Sequence, residues 1–208
     1  MLWNKLISAT AAAAGPTVIA VVQSGQNNAP NNFTITFSQT ATSGNALFFL
    51  VRIGSGNTST TPSGWTLYGN FISSSSPRLV VYTKNSDGTE TSVSASTNAS
   101  GASGVFFELE NADLSTLINS AASSATNTSP DASSVSPGGT TNKMFLAAFA
   151  GSSDLTSVTA PTGMTMINNS TRVGVAELVG TDSSYDPGAF TISPSQTWVA
   201  VNFSITEL

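Results

Sequence analysis

Two acidic groupings in this 208-residue chain place side chains of suitable type close enough in sequence to do chemistry. Glu108 and Glu110 are two apart in the run Val105–Glu110. On a strand that spacing puts both on one face, as a carboxylate pair for glycoside hydrolysis requires. Neither has a nearby aromatic platform, so solvated carboxylates on a sheet face are the expected reading. Asp182-Ser183-Ser184-Tyr185-Asp186 sets oxygen ligands four residues apart in a loop, a spacing that suits calcium at the tip of a sandwich. The Pro187-Gly188 that follows favours plain turn formation instead. Trp65 and Trp198 have the rings to stack on a sugar, but both begin strands inside apolar runs, where core packing is expected. Histidine and cysteine are absent. That removes the common triads, thiolate nucleophiles, disulfides and most zinc sites. The expectation is a non-enzyme with no catalytic residue, no metal and no cofactor.

The elements that must carry these residues are strands. Hydrophobic residues make up 39% of the chain, enough for a packed core, while only 8% are charged, against about 25% in ordinary domains. Solubility therefore rests on Ser, Thr and Asn, which compete with a helical backbone, and Thr favours sheets. The net charge is −5, with six Lys and Arg scattered along the chain. Without a basic stripe, nucleic-acid binding is not expected. No stretch approaches the ~20 apolar residues of a membrane span.

A hexapeptide occurs twice, as Pro62-Ser63-Gly64-Trp65-Thr66-Leu67 and as Pro161-Thr162-Gly163-Met164-Thr165-Met166, at an offset of 161 − 62 = 99 residues. In each copy a Pro-Ser/Thr-Gly turn launches a strand. The spacing predicts an internal duplication, with halves at about 17–112 and 113–208. In the first half strands are expected at Val18–Gln23, Phe33–Phe37, Ala46–Ile53, Trp65–Phe71, Leu79–Lys84, Thr91–Ser96 and Val105–Glu110. Asn85-Ser86-Asp87-Gly88 is expected to be a hairpin turn. In the second half the expected strands are Leu117–Ala122, Lys143–Ala150, Met164–Asn168, Val173–Val179, Ala189–Ile192 and Trp198–Ile205. Ser123–Pro137 reads as a long surface connection with one short strand. Short strands separated by turn signals describe an all-β, jelly-roll-like β-sandwich. One sandwich over residues 17–208 is expected rather than two tandem ones, because the first strands of the second half look too polar to close a core.

Residues 1–16 differ from the rest. Leu2, Trp3, Leu6 and Ile7 fall on one face of a short helical turn, and Ala11–Ala14 and Gly15-Pro16 follow. Asn4, Lys5, Ser8 and Thr10 interrupt what would be the apolar core of a secretory leader. The segment is expected to be a docking arm, with Leu2, Trp3, Leu6 and Ile7 as partner-docking residues and Trp3 as anchor.

Three stretches together carry a family likeness: Gly44-Asn45-Ala46-Leu47-Phe48-Phe49-Leu50-Val51, Thr61-Pro62-Ser63-Gly64-Trp65-Thr66-Leu67 and Arg78-Leu79-Val80-Val81-Tyr82-Thr83-Lys84. They resemble phage-encoded virion proteins with β-sandwich modules, although Asn45 stands where those carry an acidic residue. The opening Met1-Leu2-Trp3-Asn4-Lys5-Leu6-Ile7 resembles short leaders of phage tail and appendage proteins. The resemblance implies a structural protein on the outer surface of the virion, of the tail-fibre, appendage or adhesin kind. It also implies other virion proteins and further copies of the chain as partners, a trimer by analogy, and a host surface glycan as receptor. A capsid decoration protein and a carbohydrate-binding module are the alternatives.

Overall fold

The computed structural model describes residues 18–29, 31–54, 56–72 and 77–208. Leu2, Trp3, Leu6, Ile7 and the Gly15-Pro16 junction lie outside the described residues. All regular elements among the described residues are strands. In chain order they are β1 (Ala20–Ala29), β2 (Phe33–Thr36), β3 (Ala46–Ile53), β4 (Ser59–Thr60), β5 (Thr66–Ile72), β6 (Arg78–Asn85), β7 (Ser92–Thr97), β8 (Ala102–Glu110), β9 (Ala112–Asn119), β10 (Ser123–Asn127), β11 (Lys143–Gly151), β12 (Ser157–Thr159), β13 (Thr165–Asn169), β14 (Val173–Gly180), β15 (Thr191–Ser193) and β16 (Gln196–Glu207).

The first half forms a five-stranded antiparallel sheet in the order β1-β8-β3-β6-β5. The second forms a six-stranded sheet, β10-β16-β11-β14-β13, with β9 also paired to β16. Four strands correspond in order, β8-β3-β6-β5 with β16-β11-β14-β13, each of the second set standing eight places later in the chain; beside β16, the place that β1 takes beside β8 is shared by β9 and β10. The hexapeptides occupy matching places. Trp65 N donates to Pro62 O and Met164 N to Pro161 O, both at 3.1 Å. Gly64 and Gly163 take φ of 78° and 85°, which only glycine adopts without strain. Each turn opens the outer strand of its sheet, and each of those strands has a bulge near its start.

The alternation of side chains along the strands divides the interior into three cores. Along β3, Ala46, Phe48 and Leu50 point into a core shared by both sheets, while Leu47, Phe49 and Val51 point the other way. On β16, Val199, Val201, Phe203 and Ile205 face the shared core from the opposite side. The continuously apolar run of β3 is thus buried on both faces. The outer face of the first sheet is covered by a small sheet, β2-β7-β4, over Phe33, Ile35, Phe49 and Phe106. The outer face of the second lies under the pair β12-β15 and the 128–137 connection, over Phe149, Phe190, Ile192 and Trp198. The second half thus has a buried cluster on its outer face, beside the core that the two sheets share. Its polar first strands do not prevent this, because strands β11, β15 and β16 supply the large side chains.

The turn at 85–88 also departs from expectation. Gly88 has a φ of 87°, but β6 and β7 do not pair, so this is a corner between layers rather than a hairpin. Its cause is Glu90, buried at the corner and gripped from three directions. Lys84 Nζ approaches Glu90 Oε1 at 2.5 Å, Ser86 Oγ donates to Oε2 at 2.7 Å, and Asp87 N donates to Oε1 at 3.3 Å. Those partners keep the chain turning inward toward the small sheet.

Candidate functional site

Glu108 is not a solvated sheet-face carboxyl group. It is completely buried, while Glu110 at the end of β8 is exposed. Gln23 Nε2 donates to Glu108 Oε2 at 2.5 Å, and Asn45 Nδ2 and Thr42 N donate to Oε1 at 2.6 and 2.9 Å. The Gln23 amide is itself oriented, because Ser38 Oγ and Gln39 N donate to its Oε1 at 3.0 and 3.2 Å. Both oxygens of Glu108 are occupied by the protein, so it ties β1 and the 38–45 segment to β8. Glu108 and Glu110 therefore differ in environment, one enclosed by donors and the other open to solvent.

In the 182–186 loop Asp182 and Asp186 are exposed. Asp186 Oδ1 accepts from Gly188 N at 3.2 Å, the turn geometry that Pro187-Gly188 suggested. Partial burial, and then the charge of Asp186, push the Asp131 carboxyl above its ordinary range. Among the described residues no three potential metal ligands are grouped together. Trp198 is buried, and its Nε1 donates to Asn127 Oδ1 at 2.9 Å. Trp65 is half-buried, edge-on to Phe49 with ring centroids 6.1 Å apart. Both indoles serve packing, as their place in apolar runs predicts.

The corner acid Glu90 gives a pH dependence. Burial alone would raise its pKa. Hydrogen bonds from Lys84 and Ser86 and from the Glu90 and Asp87 amides outweigh that and take it from the usual 4.5 to about 2. A depressed folded-state pKa contributes stability that is full above the unfolded value and is lost as the pH falls through the folded one. Urea midpoints measured from pH 6 to pH 2 are expected to fall below about pH 4.5. A Glu90→Gln variant, less stable at pH 6, should lose less over the same interval. Parallel curves for the two proteins would contradict the assignment.

Residues at the seam between the halves carry the most concentrated polar geometry. Arg52, at the end of β3, is 4% exposed. Its Nε donates to Gly151 O at 2.9 Å, Nη2 to Ser152 O at 2.6 Å and Nη1 to Gly101 O at 2.7 Å. Arg172 donates from Nη1 to the same Gly101 carbonyl at 2.7 Å and from Nε to Asp154 Oδ1 at 2.7 Å. Burial, and then the like charge of Arg172, lower the Arg52 pKa to about 10, with Asp154 partly offsetting them. The group stays protonated at neutral pH. Ser103 and Ser170 share a hydrogen bond at 2.6 Å nearby. Farther along the seam Ser24 Oγ donates to Ile167 O at 3.3 Å. On the other side Tyr68 OH donates to Leu117 O and Asn119 Oδ1 at 3.3 and 3.0 Å, and its ring packs on Phe203.

A cleft of about 310 Å³ lies beside Arg172, between Asn28, Ala102, Asp154 and Thr171. Its polar groups are largely engaged with one another: Thr171 N and Oγ1 both donate to Asn28 Oδ1, at 3.3 and 3.1 Å. The geometry therefore locks two halves together; it does not present free reactive groups. Arg52 is not among the residues expected from the sequence to be functional, although a signal for it exists. A charged side chain inside a run buried on both faces must find hydrogen-bond partners.

No family model, curated protein or solved structure matches the chain.

Proposed function

We propose that the protein is a non-enzymatic structural module of the outer surface of a phage virion, of the tail-fibre, appendage or adhesin kind. It is held through residues 1–16, with other virion proteins and further copies of itself as neighbours. The observation that carries this reading is where the three stretches of family likeness fall. They supply β3, the turn into β5, and β6, which are consecutive neighbours in one sheet. Their side chains fill two cores. The part of the chain most like virion proteins is thus its scaffold. The uncharged Ser, Thr and Asn surface also supports the reading, because such faces approach other subunits with little cost of charge desolvation.

Immunogold electron microscopy of purified particles tests it, using antibody raised against the body. Label is expected on the particle surface and concentrated on the tail. Label spread over the capsid would replace the appendage role with decoration. Label absent from particles, with the protein confined to the lysate, would overturn the reading.

A further inference from the structure

We propose that the outer face of the first sheet holds a binding site for a carboxylate on a short aliphatic stem, with Arg78 and Ser59 as its ligands. A cavity of about 100 Å³ opens there beside the outer strand β5, between Ile53, Leu67, Val80 and Tyr82, with Ser59 and Arg78 in its wall. The cover of the first sheet stops short of this place. Its last strand, β4, ends at Thr60, and Leu67 and Ile72 on β5 remain 50% and 46% exposed.

Two polar atoms in that wall are buried without a hydrogen-bond partner, Arg78 Nε and Ser59 Oγ. Buried polar groups are ordinarily paired, and an unmade bond to a charged donor is the costlier kind. Among the described residues Arg78 is also a cation without an acidic partner. Lys84 has Glu90 and Asp87, and Arg172 has Asp154, but no carboxylate lies within ion-pair distance of Arg78 among the described residues. Arg52 and Lys143 are instead held by three and two main-chain carbonyls. Among the described residues Arg78 has one such contact, a long one from Nη1 to Asn57 O at 3.4 Å.

An occupant that satisfies both atoms must accept from a guanidinium N–H and from a hydroxyl, and must bring negative charge. A carboxylate does this with its two oxygens, one on each donor. Ile53, Val80 and Leu67 then suit one or two methylenes behind it. Tyr82 OH is already committed, donating to Ser59 O at 3.2 Å, so it fixes the β4 backbone rather than the ligand. The space admits a group of several heavy atoms and excludes a whole sugar ring or an extended peptide. The carboxylate therefore comes either from a small free acid or from one acidic side chain of a neighbouring protein.

The chain has three arginines, which makes the test direct. In the full-length, 15N-labelled protein the Arg78 Nε–H resonance is followed during titration with sodium propionate. Sodium chloride of equal ionic strength and neutral propionamide serve as controls. A saturable shift of Arg78, with half-saturation in the millimolar range, is expected with propionate alone, while Arg52 and Arg172 stay in place as internal markers of folding. Ser59→Ala should weaken binding about five- to tenfold, the worth of one hydrogen bond to an ionised acceptor. A capped Gly-Glu-Gly peptide separates the sources. Equal or tighter binding of the peptide assigns the site to an acidic side chain, and binding of propionate alone assigns it to a free acid. Equal responses to propionate and chloride, or Ser59→Ala binding as tightly as the parent, would overturn the proposal and leave the cavity to ordered water.

Discussion

Replacing Glu108 by alanine is expected to lower the free energy of unfolding by about 4 kcal/mol, read from urea denaturation at pH 7. The side chain is fully buried and accepts from Gln23, Asn45 and Thr42. Truncation takes the acceptor from the buried Asn45 amide, from one N–H of the buried Gln23 amide, whose Nε2 keeps Gln39 O, and from the Thr42 N–H, and an unmet buried donor costs about 1–3 kcal/mol. Glu108→Gln is the sharper variant. Its amide oxygen can keep Thr42 and Asn45, but its NH2 must then face Gln23 Nε2. Gln23 cannot flip to accept, because Ser38 and Gln39 already hold its oxygen. A loss of about 1–2 kcal/mol is expected for Glu108→Gln. A variant as stable as the parent would show that Glu108 is not the knot described.

The second large effect is at the seam. Arg52→Ala removes three hydrogen bonds that join β3 to the main chain around Gly101 and to that of Gly151 and Ser152 in the other half. A loss of about 3–5 kcal/mol is expected, at the scale of breaking a buried charged contact. Arg52→Lys should restore less than half of it, since one ammonium cannot span three carbonyls in the fork that a guanidinium fits. Amide exchange should quicken at residues 99–104 and 151–155 together. Exchange that quickens in one half alone would mean that Arg52 does not couple the halves.

What was legible in the sequence was the periodic apolar signal. Ala46–Ile53 agrees with β3 to the residue because both faces of that strand are buried and the run ends in Gly54. Strand β1 runs on past the expected Gln23 to Ala29. Its second part, Ser-Gly-Gln-Asn-Asn-Ala, has no hydrophobic pattern and is held by its ladder to β8. The two- and three-residue strands β4 and β12 are too short to show a period at all. Asp87-Gly88 suits a hairpin and a layer corner equally, and the distinguishing residue, Glu90, lies beyond the turn. Phe106, two residues before Glu108, marks that face of β8 as buried. The partners that make burial tolerable, Gln23 and Asn45, are remote in sequence and appear only once β1 and β3 flank β8. Arg78 reads as an ordinary strand-opening cation until the neighbouring cover is seen to leave it unanswered.

The proposed function requires that the β body be attached to a larger assembly through residues 1–16. Leu2, Trp3, Leu6 and Ile7 lie outside the described residues, among which three cores are formed. Burying such side chains is worth roughly 1.5–3 kcal/mol each, so together they amount to a substantial docking energy. Deleting residues 1–15 and scoring particles for the protein, alongside the urea midpoint of the purified body, separates folding from attachment. Attachment through residues 1–16 predicts an unchanged midpoint and particles that lack the protein. A truncated chain that unfolds, or one that still decorates particles at the parental level, would contradict it.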